Sequence, residues 1–423
     1  MKNNMLLYVF VAMIFAIFAG SISGSEMSIG GITFLQIYDL IGQLFLNALT
    51  LVVVPLVAAS IITGTARMGQ EKSFKTLGLK TFGMYLLTTA IAVSIGWIVA
   101  IVLSPGANEN VSSFFQSMIS NQPSALSVIN PQQGQIFYSI EHILYKLIPS
   151  NILAVASQGQ MLGLILFSLL FGFFISKIEE EPGRIILGFW KGLFQVMMEM
   201  THLVMKALPI GVFGLVAKVV ATTGFDAVVP IAYFFITVFI AFVLYCFVAL
   251  PLLLKLLGRI NPVKHYKAMI PALFTAFSTS SSAATLPVTI DCVEERAGIS
   301  NRVCSFTIPL AISLNLSGTG LYNCVSVFFI CQVYGLNLDF GLQLFIALLS
   351  FLTSIGMAGI PSASIAAIIM ILQSIGLPAD GIVLIMAVER VLDMFRTSVN
   401  VLGHTCCAAL VAKLEGETNV LKS

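Results

Sequence analysis

The chain has 423 residues, of which 58% are hydrophobic and only 9% charged, whereas soluble globular chains run near 25% charged. That balance excludes a single water-soluble core and points to a lipid bilayer, whose hydrocarbon is spanned by about 20 apolar residues. A net charge of +2 with no basic run excludes nucleic acid as a partner.

Residues 1–21 carry one lysine and an apolar stretch, as a signal peptide does, but no convincing cleavage box follows. The segment reads as an uncleaved first spanning helix. Further apolar segments lie at about 34–64, 78–104, 160–177, 184–220 and 228–257. Between them, 105–137 is rich in Ser, Asn, Gln and Pro and reads as an extracytoplasmic loop. Residues 135–147 read as an amphipathic piece at an interface.

Loop charges set the orientation. Arg67, Lys72, Lys75 and Lys80 follow the second segment, Lys177 and Arg184 the fourth, and Lys255, Arg259, Lys264 and Lys267 the sixth. The alternate loops, 24–33, 105–137 and 222–227, contain no Lys or Arg. Basic loops face the cytoplasm, so a multi-pass inner (plasma) membrane protein with N- and C-termini in the cytoplasm is expected.

After residue 268 the pattern changes. The apolar run 268–290 is interrupted by Ser278, Thr279, Ser280, Ser281 and Ser282, and the run 342–375 by the stretch from Ser354 to Ser362. Polar backbone at membrane depth survives only where protein or a cavity surrounds it. Two re-entrant helical hairpins fit these runs better than two spanning helices. Each is followed by a helix with its own polar patch: Ser313, Asn315, Ser317, Gly318, Thr319 and Gly320 in the first, and the helix from about 382 to 413 in the second. Paired broken segments in two halves form an inverted repeat and point to a transporter site near the midplane. The seven cysteines, mostly inside apolar runs and without CxxC spacing, read as small packing residues.

The last helix bears Glu389, Asp393, Arg396, Thr397, Asn400 and His404. At roughly 100° per residue these fall in an arc of about 100°, with an apolar face opposite. Charges at helix centre cost about 2.5–3.5 kcal/mol each on insertion scales, so the stripe must face protein or water. Arg396 offers a planar fork for a carboxylate, Asp393 can hold an ammonium, and Thr397 and Asn400 add neutral hydrogen bonds. The set suits a small acidic solute: a zwitterion with a second carboxylate. The serines lie in strings and no GxSxG elbow exists, which argues against an enzyme. An anion channel is the non-carrier alternative.

These residues resemble the dicarboxylate/amino acid:cation symporter family, the glutamate transporter homologues. The resemblance rests on Tyr85 to Thr89, Ala207 to Phe213, Ser280 to Pro287, Asn315 to Thr319, Gly356 to Pro361 and Leu392 to Asn400. It implies an all-α membrane protein of eight transmembrane helices and two re-entrant hairpins with a glutamate-transporter-like elevator fold, assembled as a homotrimer. Residues 1–77 and 105–226 would form the scaffold, and 78–104 and 227–423 the transport domain. By matching position, Arg396 would bind the substrate's side-chain carboxylate and Asp393 its amine, with Thr397 and Asn400 completing the contacts. Ser281, Ser282, Thr319, Gly359, Ser362 and Ser364 would hold the main carboxylate. Asp393 together with Arg396 favours an acidic amino acid such as glutamate or aspartate, with a C4-dicarboxylate or another amino acid, sodium-coupled, as the alternative.

No cofactor is implied beyond sodium or a proton as coupling ion. Family cation ligands would map to Tyr85, Thr88, Thr89, Ser313, Asn315, Ser317, Ser354, Gly356 and His404. However, Ser317 and His404 stand where the family has sodium-binding aspartates, and hard cations want charged oxygen. Sodium sites are therefore doubtful, and Glu389 and His404 become the candidate proton groups. Two coupling schemes stay open: protons act through Glu389 or His404, or a protonated His404 replaces a sodium ion. A neutral, silent His404 is the plain alternative. Ser362 and Ser364 stand where relatives often have glycine, which predicts a stiffer second hairpin tip.

Overall fold

The computed structural model describes residues 4–24, 26–69, 75–107, 148, 150–157, 161–223, 228–336, 338–356, 363–418 and 420–421, and it is mostly helical. The first three apolar segments form α1 (Asn4–Ser23), α2 (Phe34–Gly69) and α3 (Lys75–Leu103). Between α1 and α2, where a plain loop is expected, β1 (Ser28–Ile29) pairs antiparallel with β2 (Ile32–Thr33). Gly30 and Gly31, at φ 62° and 87°, make the left-handed two-residue turn that such a hairpin requires.

The predicted interfacial piece at 135–147 lies outside the described residues. Next come α4 (Ile152–Ser157) and α5 (Met161–Ile175). The run at 184–220, expected as one segment, is two helices, α6 (Glu180–Lys206) and α7 (Leu208–Thr223). Pro209, early in α7, accounts for the break, because it lacks an N–H and its ring crowds the preceding turn. The sixth segment is α8 (Val228–Leu244), a widened π turn (Tyr245–Ala249) and α9 (Leu250–Gly258). Pro251 would collide with the carbonyl four residues back in a regular helix, and the wider turn relieves that clash.

Each later run is a pair of helices. α10 (Pro262–Thr279) starts at Asn261, whose side chain accepts from the N–H groups of Val263 and Lys264. It stops at Ser280, at φ 49°, and the next residue, Ser281, caps α11 (Ser282–Asp291) by accepting from Ala284 N. α12 (Asn301–Leu314) and α13 (Ser317–Val333) are separated by the non-helical pair Asn315 and Leu316. α14 (Phe340–Gly356) and α15 (Ala363–Ser374) flank 357–362, the predicted second tip, which lies outside the described residues. α16 (Val383–Leu414) closes the chain as one long helix.

The helices sort by contact. α1, α2, α5, α6 and α7 pack chiefly on one another, with α2 touching α5, α6 and α7. The other group centres on α16 and α13: α8, α9, α10, α11 and α12 lean on α16, and α3 and α14 on α13. By length and composition alone, three stretches among the described residues suffice to cross a membrane: Thr76–Leu103, Ile231–Gly258 and Asn301–Val333. α16 carries its charged stripe inward, so its buried face is polar where most of the fold is apolar.

Candidate functional site

The site begins with why α13 can lie so close to α16. A Cβ on Gly318 would sit 2.9 Å from Val399 Cγ1 and 3.1 Å from the Arg396 carbonyl. Only glycine allows that approach. It brings Thr319 against Asn400 in a reciprocal pair: Thr319 N–H donates to Asn400 Oδ1 (3.2 Å), and Asn400 Nδ2 donates to Thr319 Oγ1 (3.0 Å).

One turn further along α16 lies a buried charge cluster. Arg396, Asp393 and Glu389 are each about 2% exposed or less. Arg396 Nη1 donates to the Ser364 hydroxyl and lies 3.4 Å from Glu389 Oε1, while Nη2 donates to Asp393 Oδ1. The other oxygen of Asp393 accepts from Arg390 Nη1 at 3.1 Å. Glu389 is equally saturated: Oε1 accepts from Ser364 (2.9 Å) and Oε2 from the Tyr322 hydroxyl. The guanidinium also lies over the Tyr322 ring, 5.0 Å from its centroid. The arginine fork is thus spent on the protein's own groups.

A second polar cluster lies at the α12–α13 break. The Thr88 and Thr89 hydroxyls of α3 both reach Asn315 Oδ1, at 3.1 and 3.2 Å. Asn315 Nδ2 donates to Cys407 Sγ (3.3 Å), and Tyr85 donates to the Thr307 carbonyl (2.5 Å). His404 Nε2 lies 3.0 Å from the Asn315 carbonyl. A carbonyl only accepts, so this nitrogen carries a proton. The carbonyl at a broken helix end, a natural cation ligand, is taken by an imidazole N–H. No group of three or more His, Cys, Asp or Glu suited to a metal ion exists among the described residues. The donor set here is neutral, with Ser317 buried beside it, and it fits sodium poorly.

The remaining predicted residues sit apart from the arginine's hydrogen bonds. Ser281 is a helix cap and Ser282 is buried in the first turn of α11. The Thr397 hydroxyl bonds back to the Asp393 carbonyl, and that of Ser354 to the Phe351 carbonyl. Gly359 and Ser362 lie outside the described residues, as does the side chain of Ser313, while Gly356 ends α14. The Ser364 hydroxyl bridges Glu389 and Arg396. Tyr322, Arg390 and Cys407 were not among the expected site residues. Tyr322 and Cys407 look like core by pattern, and only the fold turns their polar atoms onto Glu389 and Asn315. His265 is fully buried, with Nε2 3.2 Å from Thr405 Oγ1.

Known proteins bear on this geometry. The sodium:dicarboxylate symporter family profile matches residues 5–414. The chain is 32% identical over 411 residues to a proton/sodium-glutamate symport protein of Geobacillus stearothermophilus, covering 97% of this chain and 94% of that one. It is also 32% identical to the proton/glutamate-aspartate symporter of Escherichia coli (strain K12), covering 88% and 84% of the two chains. Against excitatory amino acid transporter 3 of Homo sapiens the identity is 31%, with 88% and 78% covered.

Proposed function

The chain belongs to the sodium:dicarboxylate symporter family, whose members are transporters rather than enzymes, and from that premise we propose that it is a secondary active symporter of acidic amino acids such as glutamate or aspartate. The observation that carries this reading is the buried pair Arg396 and Asp393 on one stripe of α16. A guanidinium and a carboxylate a turn apart match the side-chain carboxylate and the ammonium of such a substrate.

The proposed layout is eight spanning helices and two re-entrant hairpins, α10–α11 and α14–α15, in a homotrimer. α1, α2 and α5 to α7 are its scaffold, and α3 with α8 to α16 the moving transport domain. Their separate packing supports this division. Both termini face the cytoplasm, where Lys80 from the basic second loop pairs with Glu415 at 2.7 Å. That ion pair ties the end of α16 to the basic side.

Coupling is proton-driven or less dependent on sodium than the family name implies. The imidazole on the Asn315 carbonyl and the neutral Thr88, Thr89 and Ser317 set support this, as do the proton symporters among the relatives. The test is thermal stabilisation of purified protein by L-aspartate, L-glutamate, succinate and neutral amino acids, in sodium or choline buffer. The reading expects the acidic amino acids to stabilise best, in both buffers. Stabilisation by succinate alone, or by none of the panel, would contradict it.

A further inference from the structure

Among the described residues the charges of the buried cluster on α16 balance. Glu389 and Asp393 contribute two negative charges, and Arg396 and Arg390 two positive, joined by the contacts Arg396–Glu389, Arg396–Asp393 and Arg390–Asp393. An acidic amino acid brings one ammonium and two carboxylates, hence one excess negative charge. Burying an uncompensated charge is prohibitive, so a positive charge must enter with it.

A second observation is geometric. The substrate's carboxylate needs the Arg396 fork, and Glu389 holds one arm of it, both directly and through the Ser364 hydroxyl. Two carboxylates compete for one guanidinium. Resting on the acidic amino acid reading, we infer that Glu389 is the coupling-proton carrier, protonated when the substrate carboxylate takes its place on Arg396.

The groups around it allow this exchange. Among the described residues, the charged or titratable groups that reach Glu389 are Tyr322 of α13 and Arg396 and Asp393 of its own helix. Arg390 lies beyond Asp393, α15 contributes Ser364, and α8 contributes the Phe234 ring behind Tyr322. The Ser364 hydroxyl donates to Glu389 and accepts from Arg396. A proton from the aqueous phase on Oε1 turns Glu389 into a donor to Ser364 Oγ, and the serine proton then swings to the incoming carboxylate. When the substrate leaves on the other side, Glu389 releases the proton and recovers Arg396. His404 lies apart from this exchange, with Nε2 3.0 Å from the Asn315 carbonyl rather than on the Arg396 cluster.

The experiment is proton uptake on binding L-aspartate or L-glutamate, measured with a pH indicator in weakly buffered, sodium-free solution of the full-length protein. Wild type takes up about one proton per substrate, and its affinity falls about tenfold per pH unit on the alkaline side. E389Q takes up none and binds with little pH dependence, E389D keeps the uptake with a shifted profile, and H404Q keeps it. Binding by wild type without proton uptake would overturn the inference while leaving the substrate reading intact. Uptake retained in E389Q, or lost in H404Q alone, would overturn it equally. If neither acid binds at any pH, the substrate reading falls and this inference with it.

Discussion

At the scale of single residues, the account turns on how few groups surround one guanidinium. Arg396 directs Nη1 to Ser364 and Glu389 and Nη2 to Asp393. Truncating it leaves two buried carboxylates short of a partner, which costs about 3–5 kcal/mol. R396A is therefore expected to melt well below wild type, and R396K to fold but bind L-aspartate on the order of 100-fold more weakly, since an ammonium lacks the fork. Titration calorimetry checks this, and unchanged affinity in R396K would remove the arginine from the site. His404 and Ser317 carry a gain-of-function prediction. Restoring carboxylates at both positions (S317D with H404D) should create sodium-dependent stabilisation, worth about 2.7 kcal/mol at a hundredfold excess over Kd. A sodium-indifferent double variant would mean that more than these two charges is missing.

At the scale of elements, the breaks matter more than the helices. α12 and α13 part at Asn315 because its amide is shared among Thr88, Thr89 and Cys407, and its carbonyl is held by His404. α13 then presses onto α16 through Gly318. Gly318→Ala should cost about 1–3 kcal/mol by overpacking against Val399 and the Arg396 carbonyl. It should also weaken substrate binding, because the Thr319–Asn400 pair is pushed apart. A thermal melt beside a binding titration checks both.

Much at this scale was legible beforehand. The serine string at 278–282 marked the α10–α11 break, and the charge spacing on 389–404 marked the buried face of α16. What could not be read was the partner of each polar atom. Ser364 has no period or motif that places its hydroxyl between Arg396 and Glu389. The division of 184–220 into α6 and α7 was signalled by Pro209, but the apolar run around it hid the break. The Gly30–Gly31 pair is a readable hairpin signal inside 24–33, a stretch whose polarity reads as loop.

At the scale of the whole molecule, a narrow polar core sits inside an apolar envelope. Many large apolar side chains are exposed on α1, α2 and α8, as a bilayer-facing surface requires. In the proposed orientation the basic loops face the cytoplasm, and the Lys80–Glu415 pair places the end of α16 on that same side. A cysteine-reactive, membrane-impermeant label at an introduced Thr418→Cys should therefore react only from the cytoplasmic side. Reaction from outside would invert the topology.

Substrate selection by Arg396 and Asp393, with protons rather than several sodium ions as the driving charge, is tested most directly in proteoliposomes. Uptake of radiolabelled L-aspartate is measured under an inward proton gradient or an inward sodium gradient, each imposed alone. The account predicts accumulation under the proton gradient without sodium, abolished in E389Q. Strict dependence on the sodium gradient, with no response to the proton gradient, would contradict it.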